Sequence, residues 1–200
     1  TSTTASNARF YSPYGITTDG TNLYVVDYRN NKIRKVVIDN GTVTTYAGPA
    51  EGSRESGDND STTASNARFG GPVGITSDGT NFYVSEYGNH KIRKIVISTG
   101  VVTTLAGPAE GSTAYGDNDS TTASNARFKN PYVMTSDGTN LYVADFGNNK
   151  IRKIVISTGV VTTLAGPAEG TTTAETADGT GNDARFDGPF AITTDGTNLY

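Results

Sequence analysis

The string Asn-Ala-Arg-Phe ends at Phe10, Phe69 and Phe128, and Asp-Ala-Arg-Phe ends at Phe186, at spacings of 59, 59 and 58 residues. A unit repeated at so long and regular an interval is too small to bury its own apolar faces. It must stack on the next copy to make a shared core. The copies run 1–59, 60–118 and 119–176, with a partial one at 177–200, and together they form a single repeat domain over 1–200.

Each copy reads as four short strands. In the first, Tyr14–Thr18 is followed by the turn Asp19-Gly20-Thr21-Asn22 and then Leu23–Asp27. Two β-prone runs flanking Asp-Gly signal a hairpin, because glycine accepts the positive φ that tight hairpin turns require. Tyr28–Asn31 turns the chain into Lys32–Ile38, and Asp39-Asn40-Gly41 turns it again into Val43–Ala47. The second and third strands are apolar on successive residues, as expected of a sheet covered on both faces. The 32 threonines add β-branched side chains suited to pleated surface. The fold class is all-β, built of four-stranded antiparallel units. A polar, glycine-rich linker of some twenty residues separates one unit from the next.

Ala8–Gly48, Ala67–Gly107 and Ala126–Gly166 share the pattern ARFxxPxGIxxDGTNLYVADxxNxKIRKIxxxTGxVTTLAG with small variations, and Gly57–Phe69 reads GDNDSTTASNARF. This pattern resembles the NHL repeat in its bacterial form. The resemblance implies a β-propeller, six-bladed when complete, with the first strand of each blade lining a central channel. At 59 residues a blade, 200 residues hold about 3.4 blades. Tyr200 aligns with Tyr24, Tyr83 and Tyr142 inside the second strand. The chain is therefore expected to be an excerpt of a longer protein, or to self-associate with copies that complete the ring.

Differences between the copies collect before the first strand, between the second and third strands, and in the linkers. All three places are expected on one rim, where loops carry function on a fixed frame. Aromatic residues recur there: Tyr14, Tyr132 and Phe190 near the channel mouth, and Tyr28, Tyr87 and Phe146 after the second strand. With Arg29 and His90 they form the candidate ligand-binding set, suited to stacking on a sugar or gripping a peptide. The competing expectation is that these rings only pack between blades.

Arg34-Lys35, Arg93-Lys94 and Arg152-Lys153 lie one hairpin from Asp27, Glu86 and Asp145, which predicts cross-strand charge pairing. A net charge of −4 argues against a nucleic-acid partner. No apolar run approaches the roughly 20 residues that span a bilayer. Zero cysteines close off disulfides and thiolate metal sites. Asp58-Asn59-Asp60, Asp117-Asn118-Asp119 and Asp178–Asp183 offer closely spaced oxygens of the kind calcium accepts, without a complete calcium-loop pattern. No other cofactor and no metal site is expected. Some NHL-related propellers are metal-dependent lyases that need several histidines. His90 is the sole histidine, expected as a solvated loop tip, and no catalytic residues stand out. The expectation is a non-enzymatic scaffold, secreted or at the cell surface, that binds protein or carbohydrate through one loop face. An architectural repeat protein and a metal-dependent lyase or hydrolase are the alternatives.

Overall fold

A computed structural model describes residues 7–200. Three four-stranded antiparallel sheets follow one another along the chain. The first comprises β1 (Pro13–Thr18), β2 (Asn22–Asp27), β3 (Lys32–Val37) and β4 (Val43–Ala47). The second comprises β5 (Pro72–Ser77), β6 (Asn81–Glu86), β7 (Lys91–Val96) and β8 (Val102–Ala106). The third comprises β9 (Pro131–Ser136), β10 (Asn140–Asp145), β11 (Lys150–Val155) and β12 (Val161–Ala165). Each is a meander in sequence order, and the innermost strands β1, β5 and β9 stand side by side. In the fourth unit a bridge between Thr194 and Leu199 marks the same hairpin.

Faces of successive sheets meet in apolar interfaces. Tyr24 and Val26 of the first blade pack with Phe82 and Val84 of the second. On the other face of the second blade, Tyr83 and Ile92 pack with Leu141 and Val143 of the third. Alternate residues of β6 thus serve alternate neighbours, which is why its apolar residues are adjacent and all six are buried.

The Asp-Gly turns are built around one carboxylate. Asp78 accepts from the amides of Thr80 (2.8 Å) and Asn81 (2.6 Å), the Asn81 side chain (3.1 Å) and the Tyr83 hydroxyl (2.6 Å). Burial acts to raise its pKa, but these donors outweigh it and hold the carboxyl below the usual range. Asp19, Asp137 and Asp195 repeat the arrangement.

The linkers are not simply polar loops. Ala67 and Phe69 of the first Asn-Ala-Arg-Phe linker copy, and Ala126 and Phe128 of the next, are fully buried in the inter-blade cores. A short 3-10 turn at Ala64–Asn66 is wedged between blades. The Ala64 carbonyl accepts from Gly48 of the first blade, and Ala64 lies against Gly100 of the second. Ser61 meanwhile pairs with Val102 along the outer strand β8. Each linker is therefore divided: its first residues are held by the preceding blade, as Lys32 holds the Ala50 carbonyl and Asn31 that of Arg54, and its later ones join the blade that follows.

Candidate functional site

Sheet register brings one end of β1, both ends of the β2–β3 connection and the end of β4 to a single rim. Pro13 pairs with Asp27, Asp27 with Lys32, and Ile33 with Ala47. The inner strands bulge at this end. Between the Pro13–Asp27 and Ile16–Val25 pairs β1 carries one extra residue, and β9 does the same between Pro131–Asp145 and Met134–Val143. A bulge re-aims the side chains it contains. Here those include Tyr14 and Tyr132, whose rings meet edge-on across the ends of the inner strands.

Six of the eight candidate side chains form one connected aromatic cluster. Tyr132 is its hub, with ring centroids 3.9 Å from Phe190, 5.9 Å from Tyr87, 5.9 Å from Phe146 and 6.0 Å from Tyr14. Tyr14 contacts Tyr28 edge-on at 5.3 Å. In the second blade the hub position is Val73, whose short, buried side chain leaves room for Tyr14 to reach across to the third blade. Tyr14 and Phe190 remain 48% exposed. Burial, and the adjacent Tyr14 hydroxyl, push the Tyr132 phenol well above its ordinary pKa.

Packing against neighbours and presentation to solvent turn out to be divided among the rings. Tyr28 lies against Gly71 of the next blade and Phe146 against Gly188, so these two fill inter-blade seams as the competing expectation held. Tyr14 and Phe190 supply the open aromatic surface. Arg29 is exposed, with its guanidinium over the Tyr28 ring at 5.2 Å.

His90 is not a solvated tip. It sits half-buried in the left-handed region (φ 57°), and its Nδ1 accepts the Asn130 amide at 3.0 Å. Asn31 and Asn149 occupy the equivalent left-handed positions and accept the Gly71 amide (3.1 Å) and the Gly188 amide (2.9 Å). All three residues tie one blade to the next.

Arginines of the third strands are absorbed by acids, as their spacing predicted, whereas Lys35, Lys94 and Lys153 beside them form no ion pair among the described residues and Lys32 donates to the Ala50 carbonyl. Arg93 pairs with Glu86 at 2.7 Å and with Asp60 at 2.7 Å, and Arg152 with Asp145 at 2.9 Å and Asp119 at 2.6 Å. Arg34 pairs with Asp27 at 3.3 Å. Lys91 takes Asp58 at 2.8 Å, and Lys150 takes Asp117. Two of the oxygen-rich turns considered for calcium thus have carboxylates held by the chain's own cations. Asp58 also accepts the Gly111 amide, and Asp60 the Thr104 amide. Complete burial pushes the carboxyls of Glu86 and Asp145 up to about 6, against the pull of Arg93 and Arg152.

Two features escaped the sequence reading. The Asn at the third position of each turn, Asn89 or Asn148, donates to the buried carboxylate and to a linker carbonyl. The Tyr-to-Asp bond in every Asp-Gly turn was visible only as an unchanging spacing.

Four-stranded meanders fanned side by side, with inner strands adjacent and aromatic side chains gathered over their ends, define a β-propeller scaffold. Its repeats place the chain in the NHL-repeat family. It is 32% identical over 151 residues to NHL repeat-containing protein 2 of Bos taurus and 31% identical over 155 residues to that of Homo sapiens. These matches take in 70% and 71% of the chain but only 19% and 20% of the relatives, so the chain spans about a fifth of their length. No family model matches. Among solved structures, an auxiliary nutrient binding protein from Bacteroides thetaiotaomicron superposes with a TM-score of 0.60 and 18% identity, covering 86% of this chain and 39% of that one. A putative phosphatase from the same organism gives 0.59 and 17%, covering 88% and 42%. Kuenenia stuttgartiensis hydrazine synthase gives 0.55 and 16%, covering 96% and 42%. At these identities the likeness concerns the fold. No helix among the described residues is long and apolar enough to cross a membrane.

Proposed function

We propose that this chain is a non-enzymatic, extracellular or cell-surface binding propeller that takes a protein or carbohydrate ligand at the aromatic mouth. The observation that carries the reading is the aromatic cluster, drawn from all four repeat units, with Tyr14 and Phe190 each half open to solvent. Flat apolar faces ringed by tyrosine hydroxyls suit a sugar ring or the side chains of an extended peptide. The division of labour in the sequence supports this reading. The arginines of the third strands are consumed inside the frame, whereas the rim positions vary from copy to copy. A nutrient binding protein among the fold neighbours is compatible with it.

Glycan and peptide arrays probed with the full chain, and then with Y14A/F190A, test the proposal. A ligand whose affinity falls at least about tenfold in the double variant, or about 1.4 kcal/mol, is the expected result. Silence on both arrays, or binding indifferent to the two substitutions, overturns it.

A further inference from the structure

We infer that His90 makes the joint between the second and third blades acid-labile, while the flanking joints do not respond to acid. The comparison among copies carries the inference. At the same left-handed position Asn31 and Asn149 hold the next blade with an amide oxygen, a group that does not titrate. His90 performs the same task with Nδ1, and a ring nitrogen can accept the Asn130 amide only while it carries no proton. Protonation turns that acceptor into a donor facing a donor. The contact is then lost, and the Asn130 amide is left half-buried without its partner.

The surroundings reinforce the sense of the change. From the linker that follows the second blade, Tyr115 packs its ring at 5.2 Å from the imidazole. At the other two joints the Asn side chain instead donates to a linker carbonyl, that of Arg54 or Thr172. From the segment entering β9, the Lys129 ammonium opposes a positive imidazole. On its own turn, the His90 amide donates to the Glu86 carbonyl, and the Glu86 carboxylate is turned inward to Arg93 and Asn89. Burial first, and Lys129 second, hold the imidazole below its ordinary pKa. A base whose pKa is depressed by folding contributes stability that is complete above its unfolded value, near 6.5. That stability is lost as pH falls toward the folded value. Each unit of depression corresponds to about a tenfold weaker joint in the protonated form.

Asn130 also donates its side-chain amide to the Tyr87 carbonyl at 3.0 Å and lies two residues before Tyr132. Opening this joint therefore reaches the hub of the aromatic cluster. That consequence for ligand capture rests on the binding reading above; the lability of the joint does not.

Because His90 is the sole histidine, one imidazole resonance reports it. In the full chain its titration is expected below pH 6.5. Amide-exchange protection at Asn130 should drop about tenfold or more between pH 7.5 and pH 5, with Gly71 and Gly188 unchanged relative to their intrinsic rates. H90N should keep Asn130 protected throughout this range, as the asparagines do at the other joints. An imidazole that titrates at its free value with Asn130 protection flat overturns the inference. So does an acid-labile Asn130 amide in H90N. Neither readout requires a ligand, so failure here is separable from failure of the binding proposal.

Discussion

The Arg93 guanidinium stands 2.7 Å from the Glu86 carboxylate, and neither side chain has any exposure to solvent. A charge pair so placed is expensive to break on one side only, since the survivor is left buried and uncompensated. Arg93→Met is expected to cost about 3–5 kcal/mol in urea unfolding, and Glu86→Leu added to it should recover much of the loss. A single R93M variant as stable as the parent would mean that the pair contributes little.

Two families of carboxylates should give the stability profile opposite slopes. Glu86 and Asp145 hold their protons more tightly folded than unfolded, with folded values of about 6. Their contribution is complete below about pH 4 and fades as pH rises toward 6. Asp19, Asp78 and Asp137, held low by their turn hydrogen bonds, contribute stability above about pH 4 that is lost on further acidification. In an H90N background, which removes the opposing acid loss at the joint between the second and third blades, thermal melts should rise or stay level from pH 7 to 5 and fall steeply below 4. In E86Q the slope between 4 and 6 should shrink. An H90N profile falling steadily from pH 7 would contradict the assignment.

At Gly15 the first inner strand approaches the second so closely that a side chain is excluded. A Cβ on Gly15 would lie 2.7 Å from the Val73 carbonyl oxygen, a backbone atom with no freedom to retreat. Gly15→Ala should therefore destabilise by about 1–3 kcal/mol in chemical denaturation. Three residues earlier, Ser12 takes a left-handed conformation (φ 52°) where two other copies have Gly71 and Gly188. Ser12→Gly relieves that strain and is expected to be neutral or stabilising by up to about 1 kcal/mol.

The open and the packed rings should separate in mutagenesis. Tyr14→Ala removes a half-exposed ring and should shift the melting temperature by only a few degrees. Tyr132→Ala removes the hub that four other rings touch, and should cost about 2–4 kcal/mol. Equal losses for the two would show that the cluster lacks the hub organisation described.

Local chemistry is what the sequence made legible. Asp19-Gly20 and its copies announced the hairpins, and the strand limits agree within a residue. The spacing of Arg93 from Glu86 foretold their pairing because a two-strand register fixes both. The rim aromatics were recognisable as a set because one repeat position maps to one place on every blade. What stayed hidden depends on partners distant in the chain. Phe69 lies in a stretch read as polar linker, and only the neighbouring blade explains its burial. His90 appeared to be a lone histidine on a loop, since the amide it accepts belongs to Asn130, forty residues on. The turn to which Tyr14 owes its aim is a single-residue bulge, which leaves no mark in the alternation of residue types.

The wedge at Ala64–Asn66 and its copies has a consequence for how such arrays change over generations. Because the first two seams are closed by the same Ala-Ser-Asn insert against the same two glycines, a whole unit can be gained, lost or exchanged there without the seam meeting an unfamiliar surface. The residues that still distinguish one seam from another, His90 with Tyr115 among them, then act as addresses. They are the places where shuffling copies would be felt.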